Sequence, residues 1–417
     1  MKTLWYINYY TSLPELCGNP RSVELSKAAV AAGYKCRVFF ADFKGSMINS
    51  KIDTFENRNI EGVEYTIVRA KPYKGNVDRG LSIFQWALSL RKVAERLEEK
   101  PDVILWNIHA PFDYPVVWLA KKLKAKLIVE AWDLWPDSFV RFGLMKASSS
   151  ITKFFYFVEK KMYEHGDAIV FTLEGGKDYL KDQGWTTDSG GKIDTSKVYY
   201  INNGVNIEKF EKDCSNFPTE DPDLLDQSTF KVLYMGAIRL VNHVKTLIEA
   251  AAILKKHKGI KFFIYGDGPE REELVKYVQS NSIDNIIFKQ KHVDFRYVAD
   301  IVSHADLNIM NYQKGFGKYG VSSGKQFQYL AAGKPILCNI YLNYDEITRN
   351  NIGIAEEMET PEEYAEAILR IANLPKEELE AMQKRTLSTA QKFDYNKLSA
   401  EFLQVVETVL CKRPTID

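Results

Sequence analysis

The residues best equipped for chemistry are Ser322-Ser323-Gly324-Lys325, which run into Gln326-Phe327-Gln328-Tyr329-Leu330-Ala331-Ala332-Gly333-Lys334-Pro335-Ile336. The pattern predicts a helix of about two turns with a small polar entrance, a stop at Gly333 and a buried strand, Ile336-Leu337-Cys338, beyond it. Ser322 or Ser323 stands where a helix cap belongs. Free N–H groups, small side chains and a first-turn lysine together suit a phosphate, because the helix dipole and the ammonium both favour negative charge there. Taken alone, the stretch fits an ordinary helix–strand connection equally well.

Such a site needs a frame, and the chain alternates apolar strands with amphipathic helices. Strands are expected at 4–8, 36–40, 63–68, 103–106, 127–130, 168–171 and 198–201, with helices between most of them. Asn202-Asn203-Gly204-Val205-Asn206 reads as a break, and the polar stretch 211–229, with Pro218 and Pro222, as a linker. The alternation restarts with strands at 230–235, 261–265, 286–289 and 307–310, and helices close the chain at 361–372, 376–391 and 395–410. The fold class is therefore α/β: two Rossmann-like domains facing across a cleft. The first spans 1–205, the second 206–392, and a terminal helix, 393–417, packs back toward the first. In open parallel sheets, ligands sit at the carboxyl ends of the strands.

Bulk properties exclude several classes. With 417 residues, 45% hydrophobic and 27% charged, the chain is long enough for two cores. Its net charge of +1 argues against a nucleic-acid binder. Residues 1–200 carry 29 Lys+Arg against 24 Asp+Glu, a mildly basic half that suits an anionic lipid surface or a phosphorylated ligand. The five cysteines are scattered, with no Cys-x-x-Cys pair, which fits a reducing compartment and no structural zinc. The amino-terminal Met1–Asn8 turns polar too early for a signal peptide, and no apolar run is long enough to span a membrane. The expected location is the cytoplasm, with contact at the inner face of the cytoplasmic membrane peripheral at most. Ile151–Lys161 and Leu81–Arg91 mix aromatics with cations and could lie at an interface, but α/β helices usually bury such aromatics, and burial is the expectation here.

Several short motifs fall in a telling order: Asn19-Pro20-Arg21-Ser22-Val23-Glu24-Leu25, Asp133-Leu134-Trp135-Pro136-Asp137-Ser138, Tyr200-Ile201-Asn202-Asn203-Gly204-Val205, Leu233-Tyr234-Met235-Gly236-Ala237, Tyr265-Gly266-Asp267-Gly268-Pro269-Glu270 and the Lys325 segment. Over nearly its whole length the chain resembles the retaining glycosyltransferases of family 4, with the GT-B fold. It looks closest to the bacterial O-antigen and capsule branch, the N-acetylfucosaminyl- and N-acetylglucosaminyltransferase-like enzymes. The resemblance implies a nucleotide-sugar donor, a lipid-linked or glycan acceptor, no cofactor and no metal. It places Lys325 and the N–H groups of Ser323 and Gly324 on the diphosphate. Gly320 and Ser322 line the donor sugar, Gly236 shapes the donor loop, and Gly18 and Asn19 close on the diphosphate from the first domain. The family usually carries two glutamates eight positions apart, where this chain has Gly320 and Gln328. Gln328 keeps one acceptor for a ribose hydroxyl but is neutral. The usual Arg and Lys after the strand at Gly236 are replaced by Ala237 and Asn242, leaving Arg239 as the displaced phosphate contact. Asp133, with His109 as second candidate, would orient or deprotonate the acceptor hydroxyl.

Overall fold

The computed structural model describes residues 1–16, 20–42, 54–109 and 111–411. The chain divides into two compact units, Met1–Asn202 with Tyr395–Asp417, and Asn203–Asp394.

The first unit is built on eight strands: β1 (Thr3–Ile7), β2 (Lys35–Asp42), β3 (Phe55–Ile60), β4 (Val63–Arg69), β5 (Val103–Asn107), β6 (Lys126–Ala131), β7 (Ala168–Phe171) and β8 (Val198–Tyr200). Their order is β3-β4-β2-β1-β5-β6-β7-β8. All pairings are parallel except β3–β4, a hairpin the sequence reading did not anticipate. Its turn, Glu61-Gly62, holds both residues at positive φ (53° and 80°), the backbone a tight hairpin requires. Every residue of β1 and β5 is buried, as expected of central strands covered on both faces. The closing helix, Tyr395–Cys411, buries Leu398, Phe402, Val405, Val406 and Val409 against this sheet, a helical stripe of apolar side chains.

The second unit holds β9 (Phe230–Met235), β10 (Ile260–Tyr265), β11 (Ile286–Phe288), β12 (Leu307–Met310), β13 (Ile336–Cys338) and β14 (Gly353–Ala355), all parallel, in the order β11-β10-β9-β12-β13-β14. The chain winds outward from β9 to β11, then returns to β12 on the other side. The carboxyl ends of β9 and β12 thus flank a topological switch point, where adjacent loops diverge and leave a crevice. In the first unit the same reversal falls between β1 and β5.

About half of the stretch read as a linker is helical instead, in Ile207–Asn216 and Pro222–Leu225. Asn206 accepts a bond from the Lys209 N–H and Asp221 one from the Asp223 N–H, so these polar residues are caps. The longer helix buries only Phe210 and Asp213, which explains its linker-like composition.

Candidate active site

In the second unit, the expected helix forms at Gly324–Ala331. It follows β12 and places Lys325 in its first turn, at the switch point. The Lys325 Nζ is fully buried and has no hydrogen-bond partner. It lies 4.6 Å from the centre of the Tyr234 ring and 5.4 Å from that of Tyr312. These aromatic faces give a cation some compensation, but less than hydrogen bonds would. Burial pulls the amine down to about 8, opposed only by the nearby Cys338 thiol. A buried, unpartnered ammonium calls for an explanation, and a role in binding an anion supplies one.

The surrounding backbone is glycine-dependent where it must be. A Cβ on Gly236, just beyond β9, would stand 3.5 Å from the Lys325 Nζ at a φ of 155°. A Cβ on Gly266, just beyond β10, would meet the Gly236 carbonyl at 1.9 Å. The Gly266 loop can lie this close to Gly236 only because Gly266 lacks a side chain. The Tyr234 hydroxyl donates to the Ala237 carbonyl at 2.7 Å, and the Tyr329 hydroxyl accepts from the Met235 N–H at 3.1 Å, so β9 and the Lys325 helix are tied together.

Gly320 is buried with a φ of 94°, a conformation that a glutamate would adopt only with strain. The backbone turn itself therefore accounts for glycine where the family usually has its first acidic residue. Asn203 donates to the Ser322 hydroxyl at 2.9 Å and holds it beside the helix entrance. Ser323 occupies the cap position, yet its side chain makes no capping bond; the expected serine cap is absent. Gln328 is half-buried one turn beyond Lys325, on the same helix face. Arg239 is exposed, three residues past Gly236. Gly18 and Asn19 lie outside the described residues.

A cavity of about 580 Å³ opens beside the end of β11, lined by Asp221, Gln290, His292, Asp294 and Tyr297 among others. It borders the glycine loop: Gln290 accepts from the Gly266 N–H at 3.0 Å, and the His292 Nε2 lies 3.8 Å from an Asp267 carboxylate oxygen. Sequence reasoning missed this cavity, whose lining comes from segments some seventy residues apart.

In the first unit, His109 follows β5 and Asp133 follows β6. Asp133 is exposed, and its carboxyl lies within electrostatic reach of the His109 ring. His109 has a buried partner. The Asp113 carboxylate accepts from the His109 backbone N–H at 2.8 Å and from the Trp106 indole at 2.9 Å, and sits 3.4 Å from the His109 Nδ1. Asp113 was not singled out from the sequence; its spacing of four from His109 was the available signal. Below them lies a buried network. Glu130 pairs with Arg21 at 2.8 Å, both side chains fully enclosed, and accepts from the Tyr6 hydroxyl and the Trp132 indole at 2.7 Å each. Arg21 also donates to the Asn202 carbonyl at 2.5 Å. This network fixes Trp132, the neighbour of Asp133. Among the described residues no group of three or more His, Cys, Asp or Glu side chains is placed to hold a metal.

Comparison with known proteins accounts for both halves. Residues 21–209 match the family model described as Glycosyltransferase Family 4, and residues 218–388 match that of Glycosyl transferases group 1. An uncharacterized glycosyltransferase of Methanocaldococcus jannaschii is 24% identical over 219 residues, 51% of this chain and 51% of that protein. The matched stretch thus spans about half the length of the curated relative. Sucrose-phosphate synthase from Thermosynechococcus elongatus superposes with a TM-score of 0.72 at 16% identity, covering 98% of this chain and 99% of that one. The E. coli structure described as trehalose-6-phosphate bound with UDP-2-fluoro glucose gives 0.75 at 10% identity, covering 99% and 100%. Anabaena HepE in complex with UDP and glucose gives 0.67 at 13% identity, covering 98% and 100%. These structural likenesses establish the architecture, and with the two domain matches they show that the chain carries both domains of a GT-B glycosyltransferase, the first of them of family 4.

Proposed function

We propose that the protein is a retaining glycosyltransferase that moves a hexose or N-acetylhexosamine from a UDP-linked donor to a lipid-linked or polysaccharide acceptor, in surface-glycan synthesis of the O-antigen or capsule kind. The observation that carries this reading is the buried Lys325 Nζ, unpartnered at a helix entrance on the switch point. Residues 206–392 act as the donor domain and 1–205 as the acceptor domain, with 393–417 returning to the latter. Lys325 and the N–H groups of Ser323 and Gly324 neutralise the leaving diphosphate as its charge grows, so the reaction needs no metal. Gly236, Gly320 and Ser322 shape the sugar pocket, Arg239 reaches a phosphate oxygen, and Gln328 meets the ribose. The cavity beside β11 has room for the nucleoside. Departure and attack on one face of the sugar preserve its anomeric configuration. Asp133, with His109 held by Asp113, receives or orients the acceptor hydroxyl. The choice of UDP is supported by the solved relatives that contain UDP or a UDP-sugar.

The test is incubation of the pure protein with a panel of nucleotide sugars and a lipid-linked acceptor extract. Transfer, or slow donor hydrolysis, is expected with a UDP-sugar; neither with any donor overturns the reading. A second reading, a catalytically silent relative that binds nucleotide sugar or a partner enzyme, is favoured by Gly320 and Gln328, which stand where the family usually has glutamates. Calorimetric binding of UDP without turnover would select it.

A further inference from the structure

Two helices of the first unit, Asn76–Arg96 and Ser150–His165, carry the stretches expected to bury their aromatics. Trp86 is buried, but several other large apolar side chains on these helices and on Pro115–Leu123 are exposed. Phe154 and Phe157 are each 56% exposed, Trp118 54% and Leu81 49%. Around them runs an apolar groove of about 430 Å³, walled by Phe84, Phe112, Trp118, Phe154, Phe157 and Val158. Tyr114 and Lys161 also line the groove. Tyr114 meets the His165 Nε2 at 3.1 Å, and Lys121 and Lys161 both lower the His165 pKa, behind the larger effect of its burial. Lys161 borders the groove itself, and Lys121 stands exposed one turn beyond Trp118 on its helix. Lys161 shares its charge with Glu164 at 2.6 Å. The exposed residues of Ser150–His165 include Ile151, Lys153, Phe154 and Phe157 and no acid: Glu159 points inward to Tyr163 and Tyr179, and Glu164 is half-buried against Lys161.

We infer that this face docks on an anionic phospholipid bilayer, with one acyl chain in the aromatic groove and its phosphate beside Lys121 and Lys161. The charge pattern selects this occupant. Aromatic side chains interleaved with lysines match the boundary of an anionic membrane, where rings enter the acyl region and ammonium groups meet phosphates. Docking depends on the proposed function only for its purpose, which is bringing the enzyme to a lipid-linked acceptor. Vesicle binding and donor turnover are read separately, so either can fail alone.

The full chain should co-sediment with phosphatidylcholine vesicles containing about one third phosphatidylglycerol and not with pure phosphatidylcholine. The Phe154→Asp/Phe157→Asp protein should bind at least tenfold more weakly, as should Lys121→Glu/Lys153→Glu. All these side chains are exposed, so folding is preserved, which thermal melting checks; UDP affinity should be unchanged. Brominated lipid should quench tryptophan fluorescence in the parent and much less in Trp118→Phe. Equal binding to neutral and anionic vesicles overturns the inference. So does binding insensitive to both double variants or to loss of Trp118. Absence of vesicle binding, with self-association that Phe154→Asp abolishes, would show a protein–protein face instead.

Discussion

Replacing Lys325 with methionine separates what this residue does from what it costs. Burial holds its amine at about 8 against an ordinary 10.5. At neutral pH the fold therefore carries an ammonium it disfavours by about 3 kcal/mol. The sign follows from proton counting. Between about 8 and 10.5 the unfolded chain binds more protons at this site than the folded one, so this contribution to stability rises with pH through that window. Methionine keeps an unbranched stem against Tyr234 and Tyr312 without the charge. Lys325→Met should be more stable near neutral pH by about 2 kcal/mol, some 4–8 °C in Tm for a unit of this size, and should lose most of that advantage near the top of the window. UDP affinity in the same variant should fall by about a hundredfold, the worth of a charge-assisted contact in a desolvated site. The parent, titrated with UDP at a pH of about 8 in two buffers of different ionisation enthalpy, should take up about half a proton per UDP bound, and the variant none. Thermal melts across pH and calorimetry supply both readings. A variant that is less stable near neutrality yet binds UDP as well as the parent would refute the reasoning, for Lys325 would then be a structural residue.

Three further substitutions probe the neighbouring chemistry. Gln328→Glu restores a full carboxylate one turn from Lys325; if it faces the ribose, UDP should bind about tenfold more tightly by calorimetry, and no change would remove Gln328 from the site. Asp113→Asn should lower the rate of glycosyl transfer by about tenfold to a hundredfold while leaving UDP affinity intact, because it releases the His109 ring rather than the donor. Glu130→Gln strands the Arg21 guanidinium in a site closed to water, so chemical denaturation should show a loss of about 3 kcal/mol.

The alternation of apolar strands with helices was readable because parallel strands covered on both faces must be continuously apolar, as in Val103–Trp106 and Leu127–Val129. The Lys325 helix was equally plain from its small entrance and Gly333 stop. The Ile207–Asn216 helix was hidden because a surface helix with two buried side chains has little period to detect. The β3–β4 hairpin was hidden because its outer strand, Phe55–Ile60, is polar and half-exposed, with the pattern of a loop.

Residue type and local order, then, determined the fold class, the glycine loops and the lysine at a helix entrance, because helix stops, turns and burial patterns are short-range properties of the chain. Tertiary structure decided the rest. Only packing could leave the Lys325 ammonium without a partner between Tyr234 and Tyr312, set Asp113 under His109, and turn Phe154 and Phe157 outward instead of into the core. A residue's type fixes its charge and size, but its desolvation and its partners depend on segments remote in sequence, and those set both the pKa and the purpose of a side chain.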